Sequence, residues 1–212
     1  MKILYATGNP AKYAAMKRRL MPLGIELQSL TDLQEMGMEI PQVEENGTTP
    51  LENAQVKAKA YYEAFGIPVF SCDSGLYFEG EAGAEQPGVH VRTQNGIYLS
   101  DKQVQQRMIG FAKKYGELKA YYKHAICLVM DSDKVYSVMD ETTESERFLI
   151  TEQPHPMQKE GFPIDSLSKK IATGTYYYDL PAAEIDKLAV EDGVLRFFKK
   201  QMHLFSAHPM NE

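Results

Sequence analysis

Lys2-Ile3-Leu4-Tyr5-Ala6, then Thr7-Gly8-Asn9-Pro10, then Ala11 through Met21 read as a strand, a tight loop and a helix. The apolar run fits a buried strand, Gly8 and Pro10 break it, and Pro22 with Gly24 end the helix that follows. Where a strand turns straight into a helix, unsatisfied backbone amides point at the loop, so an anion fits there. Lys12 lies in the first helical turn, where the helix dipole disfavours a cation, and a bound phosphate would account for it. The alternative is a solvent-exposed lysine on a basic helix that also carries Lys17, Arg18 and Arg19. The loop lacks the full Walker glycine spacing.

Outward from this start, the spacing predicts a helix from Pro50 to Phe65. Thr49 is its N-cap, Pro50 its first residue, Glu52 the far half of a capping box and Gly66 its end. Leu51, Ala54, Ala58, Tyr61, Tyr62 and Phe65 share one stripe, which leaves Lys57 on another face. Pro68 to Cys72 reads as a buried strand broken at Asp73-Ser74-Gly75, and Leu76 to Glu79 as a further strand. A second capping box, Ser100 with Gln103, opens a helix from Asp101 to Tyr115 that stops at Gly116. Ala120–Met130 and Lys134–Val138 flank the turn Asp131-Ser132-Asp133 as a hairpin. Residues 151–168 read as irregular, and 181–202 as two helical pieces divided near Asp192-Gly193. Helices and strands alternate early and long paired strands come later, which predicts an α/β protein with a mixed sheet.

The chain has 212 residues, 43% of them hydrophobic, enough for a full core in one domain or in two lobes. Its formal charge of −6 offers no broad basic face for a nucleic-acid polymer, so a polyanionic substrate must meet local lysines or a metal. No apolar run approaches the roughly 20 residues of a membrane helix, and the opening strand does not read as a signal peptide. A cytoplasmic protein without a membrane partner is the expectation. Cys72 and Cys127 have no C-x-x-C spacing and read as reduced, packed thiols.

Carboxylates at loop and strand ends suit Mg²⁺, a hard cation that keeps waters and bridges substrate phosphates. Glu44-Glu45 and Asp73-Ser74 are such positions, although the first pair also reads as a solvated loop and Asp-Ser-Gly as an ordinary turn. The five histidines show no metal-ligand spacing; His155 between two prolines reads as a loop residue and His90 as a surface residue. Tyr176-Tyr177-Tyr178 could stack a base, but alternating strand faces would bury at least one of them. The acids from Asp140 to Glu146 read as a solvated strand or loop.

Taken in order, these pieces resemble the inosine/xanthosine triphosphate pyrophosphatase family. The resemblance rests on Thr7-Gly8-Asn9 with Lys12, Glu45-Asn46-Gly47-Thr48, Glu52-Asn53-Ala54 with Lys57-Ala58, Asp73-Ser74-Gly75-Leu76, Pro87-Gly88 with Arg92, and Gly161-Phe162 with Asp165. It implies a single domain over residues 1–212, an elongated mixed sheet with flanking helices and two lobes around a nucleotide cleft, usually as a homodimer. It also implies that Thr7, Asn9, Lys12, Lys57 and Ser74 contact a nucleoside triphosphate, with Lys12 assisting catalysis. Glu45 and Asp73 would serve Mg²⁺, and Asp73 would orient or deprotonate the attacking water. Phe162 would stack on the base and Asp165 would contact its edge, while the reaction leaves a nucleoside monophosphate and pyrophosphate.

Three departures from the family pattern stand out. Cys72 replaces the first of two paired aspartates and is a poor ligand for hard Mg²⁺. Gly161-Phe162-Pro163-Ile164-Asp165-Ser166 stands where the family has Gly-Phe-Gly-Tyr-Asp-Pro. The family's carboxy-terminal Ser-His-Arg has no counterpart, and the nearest stretch, Ala189 to Gly193, carries Glu191 and Asp192. Carboxylates accept hydrogen bonds, so acids there favour a base that presents a donor. Three readings follow: hydrolysis of nonstandard purine triphosphates, the same hydrolysis on a different base, or nucleotide binding with little catalysis.

Overall fold

The computed structural model describes residues 2–80, 85–116, 118–181, 184 and 193–206. A mixed seven-stranded sheet runs in the order β2 (Glu26–Gln28), β1 (Lys2–Tyr5), β3 (Val69–Phe78), β6 (Leu118–Asp131), β8 (Phe148–Ile150) and β9 (Ser168–Lys170), and β7 (Lys134–Val138) pairs with β6. β4 (Thr93–Gln94) and β5 (Ile97–Tyr98) form a separate hairpin. The helices are α1 (Pro10–Leu20), α2 (Leu30–Glu35), α3 (Pro50–Phe65), α4 (Asp101–Tyr115) and α5 (Gly193–Ser206).

The chain divides into two compact units: residues 1–73, 124–143 and 189–212 in the first, and 74–123 and 144–188 in the second. In the first, β1 pairs in parallel with β2 and β3, as strand–helix–strand connections require. Ile3, Leu4 and Phe70 are fully buried, the Phe70 ring stacks on Tyr5 at 4.4 Å, and Phe198 of α5 meets it edge-on at 5.1 Å. Burying such side chains contributes roughly 1.5–3 kcal/mol each. In the second unit β6 pairs antiparallel with β8, and β8 with β9. Val104, Met108 and Ala112, all fully buried, seat α4 in that unit's core with Leu76, Phe148 and Leu167.

Both predicted capping boxes form: Thr49 accepts from the Glu52 amide and Ser100 from the Gln103 amide, each answered by the partner side chain. α3 ends at Gly66 in the left-handed region, and β6 and β7 make the predicted hairpin. Two expectations need correction. Asp73-Ser74-Gly75 does not break the strand, because β3 runs unbroken from Val69 to Phe78. Gly75 is there for close approach: a Cβ would lie 2.8 Å from the Tyr77 ring and 3.1 Å from the Gly88 backbone, where Leu76 and Gly88 exchange amide hydrogen bonds. Nor do Tyr176, Tyr177 and Tyr178 alternate along a strand; a 3₁₀ turn covers Tyr177–Asp179. The predicted division near Asp192-Gly193 lies partly outside the described residues, and α5 accounts for the second piece.

Candidate active site

The loop after β1 is organised by Asn9. Its side-chain oxygen accepts from the amides of Ala11 at 2.9 Å and Lys12 at 3.2 Å, while its own amide donates to the Thr7 hydroxyl at 3.2 Å. This corrects the expectation of unsatisfied amides at the start of α1, since two of them are taken by the N-cap. Any anion here must be met mainly by side chains. Lys12 is solvent-exposed, yet protein atoms crowd its ammonium, and that desolvation lowers its pKa; Asp73 works in the opposite direction and Lys57 adds to the lowering.

Asp73 is half-buried on β3, and its affinity for a proton is raised, first by burial. Lys57 and the Asn53 hydrogen bond pull in the other direction, Glu45 reinforces the rise, and Lys12 opposes it. Lys57, with its side chain only 13% exposed, pairs with Glu45 at 2.5 Å. The first unit therefore brings Lys12, Lys57, Glu45 and Asp73 within reach of one another's charge. Ser74 follows Asp73 on β3, half-buried.

Asn53, which the sequence did not single out for a role, ties this set together. It is 4% exposed, donates from Nδ2 to Asp73 Oδ2 at 3.1 Å, and accepts from the Gly47 amide at 2.7 Å. One buried side chain thus fixes the catalytic-candidate carboxylate and the loop that carries Glu45. From the first turn of α3, Glu52 accepts from the amide of Thr48 on the same loop at 2.7 Å and from its hydroxyl at 3.0 Å.

In the second unit, Phe162 and Asp165 share one turn, in which the Asp165 amide donates to the Phe162 carbonyl at 3.3 Å. Lys159 lies over the Phe162 ring at 4.5 Å. Burial pushes the Asp165 carboxyl up to about 6, against the pull of Lys159. Tyr122, Tyr177 and Tyr178 are all raised by burial first, and in each the Asp165 charge adds to the rise. Glu191 and Asp192 lie outside the described residues. His90 is exposed, and His155 packs beside Tyr176 and Tyr178 while bridging to Asp179 at 3.1 Å. Within the Asp140 to Glu146 run, Glu144 is not simply solvated: its side chain is 15% exposed and pairs with Arg147 at 3.0 Å and Lys123 at 3.7 Å.

Among the described residues no cluster of three His, Cys, Asp or Glu side chains could cage a metal. Mg²⁺ binds through one or two carboxylates together with waters and substrate phosphates, and Glu45 and Asp73 are the residues that would hold it. Asp73 commits one oxygen to Asn53, and Cys72, the residue before it, is a half-buried thiol. Both cysteines are unbridged, and no helix among the described residues is long and apolar enough to cross a membrane.

Residues 3–172 match the model of the Ham1 family. A dITP/XTP pyrophosphatase of Prochlorococcus marinus (strain NATL1A) is 30% identical over 178 residues, 84% of this chain and 82% of that protein. A dITP/XTP pyrophosphatase of an Exiguobacterium species is 33% identical over 138 residues, 65% of this chain and 67% of that protein. Among solved structures, a HAM1 protein from Coxiella burnetii gives a TM-score of 0.70 at 20% identity, covering 98% of this chain and 100% of that chain. The nucleoside-triphosphatase / dITP/XTP pyrophosphatase from Mycobacterium abscessus gives 0.68 at 24% identity, covering 93% and 98%. The structural matches establish the mixed-sheet fold.

Proposed function

Because the chain belongs to the Ham1 family, we propose that it is a nucleoside triphosphate pyrophosphohydrolase, converting a nonstandard purine triphosphate and water to the monophosphate and pyrophosphate. The observation that carries this reading is that the charges of Lys57 and Lys12 both act on Asp73, whose carboxylate is held by buried Asn53. A triphosphate repels a nucleophile, so Lys12 and Lys57 neutralise its charge, with Thr7, Asn9 and Ser74 adding polar contacts. Asp73 orients the attacking water and takes its proton; the raised proton affinity suits a base that must accept one near neutral pH. Glu45 and Asp73 would hold Mg²⁺ arriving with the substrate, and the ion would neutralise charge on the phosphate oxygens. Phe162 stacks on the base and Asp165 meets its edge.

The test is pyrophosphate release in Mg²⁺ from a panel of ribo- and deoxyribonucleoside triphosphates, including the inosine, xanthosine and standard forms. Selective turnover of inosine and xanthosine triphosphates is expected, and Asp73→Asn should lower kcat by about 10²-fold or more with little change in binding. No turnover of any triphosphate, with tight binding of one, would sink the enzyme reading in favour of recognition. The missing Ser-His-Arg is the observation behind a second reading, the same hydrolysis on a different base, and turnover confined to another member of the panel would establish it.

A further inference from the structure

The turn that carries Phe162 is gripped by its peptide backbone. Arg92 donates from Nη1 to Asp101 Oδ1 at 2.7 Å and from Nη2 to the Gly161 carbonyl at 2.9 Å. The second Asp101 oxygen accepts from the Gly161 amide at 2.8 Å. One ion pair thus closes on both polar groups of the residue immediately before Phe162. Gly161 has a φ of +82°, a conformation that side chains other than glycine's rarely adopt, so the clamp fixes an unusual backbone turn. Four residues along α4, Gln105 donates to the Gln158 side-chain oxygen and to the Ser166 hydroxyl, each at 2.9 Å. α4 is itself seated by fully buried Val104 and Met108. The turn is therefore referenced to a rigid helix at Gly161 and near both its ends.

We propose that Arg92 and Asp101 are positioning residues for base recognition: by clamping Gly161 they set the place of the Phe162 ring and, through it, the affinity for the nucleobase. The physical reason is geometric. An aromatic platform contributes to binding only where its face meets the base, and a ring on a turn without regular secondary structure has no ladder of its own to fix it. A forked guanidinium and a two-oxygen carboxylate hold a peptide in plane and in register, which a single point charge does not. Gly161 accepts one bond and donates the other, so loss of either partner frees one side of the peptide. The clamp rests on the reading of Phe162 as the base platform; it assigns a role to two side chains that act on the ring through the Gly161 peptide.

The experiment compares Arg92→Lys, Asp101→Asn and Phe162→Ala with the parent protein. Steady-state kinetics with inosine triphosphate, inhibition by inorganic tripolyphosphate and thermal midpoints are measured for each. Arg92→Lys keeps the charge and loses the fork, so it carries the test even if Asp101→Asn does not fold. Both clamp variants are expected to raise KM about tenfold with kcat within about twofold, the size of effect that one or two lost hydrogen bonds to charged groups produce. Inhibition by tripolyphosphate, which has no base, should not move. Unchanged KM in the clamp variants, alongside a raised KM in Phe162→Ala, overturns the clamp and leaves the base reading standing. Parallel weakening of tripolyphosphate inhibition overturns it too, because the defect is then general. An unmoved KM in Phe162→Ala overturns the base reading, and the clamp falls with it.

Discussion

Asp165 holds its proton to about pH 6, against an ordinary value of 3.8, because burial disfavours the charged form. Below both values the folded and unfolded chains are equally protonated. As pH rises from about 4 towards 6 the unfolded chain releases its proton first, so the folded state loses stability across that window, by at most about 3 kcal/mol once pH exceeds 6. Asp165→Asn removes this dependence. Denaturation midpoints of the variant are expected to gain on the parent between pH 4 and pH 7, and equal pH dependence of the two would contradict the assignment. Asp73 is also raised by burial; in the proposed role of base it must be ionised to accept a proton, so kcat/KM is expected to fall on the acid side with a midpoint displaced upward from that of an ordinary aspartate. Loss of that limb in Asp73→Asn, measured on its residual activity, checks the assignment.

At the scale of elements, the start of α3 and the loop before it act as one piece. A Cβ on Gly47 would sit 2.6 Å from Asn53 Oδ1 and 2.7 Å from the Glu52 Cβ, so Gly47→Ala must push the loop off the helix or displace Asn53. Either movement disturbs Glu45 or Asp73. A loss in kcat/KM of about tenfold or more is expected from Gly47→Ala, whereas Val56→Ala, on the exposed face of the same helix, should change neither rate nor stability. Equal activity of Gly47→Ala and the parent would show that the loop does not position the site. Caps and stripes made α3 and α4 legible in the sequence, because their signals lie within a few residues of each other. α2, β2, β8 and β9 were not read: each spans at most six residues, too short for periodicity, and the strands exist by pairing with partners distant in sequence.

For the whole molecule, the chain passes from the first unit to the second at Asp73–Ser74, returns at Lys123–His124, and leaves again at Thr143–Glu144. β3 and β6 each contribute residues to both units, so neither unit is a continuous piece of chain. We propose on that ground that the protein melts as one domain. Calorimetry is expected to give a single transition whose van't Hoff and calorimetric enthalpies agree; two resolved transitions would mean independently stable units. The same scan with a nonhydrolysed triphosphate analogue at about 100 times its Kd should stabilise the fold by about 2.7 kcal/mol. A homodimer is the arrangement that the family resemblance suggests, and light scattering that returns a monomer would remove it.

The helix boundaries at Thr49, Gly66, Ser100 and Gly116, the β6–β7 hairpin and the residue types of the proposed triphosphate site are all legible along the chain, since they are written in short-range order. It also carried the resemblance that named Lys12, Glu45, Lys57, Asp73, Phe162 and Asp165. Folding in three dimensions was needed to place Asp73 within a continuous strand, to spend the Asn9 oxygen on capping α1, to join Gly47 to Asp73 through Asn53, and to close Arg92 and Asp101 on Gly161. Asn53 and Asp73 are 20 residues apart, and Arg92 and Gly161 are 69. Hydrogen bonds over such separations leave no local pattern, because what fixes them is the packing that buries their partners rather than the spacing of neighbours along the chain.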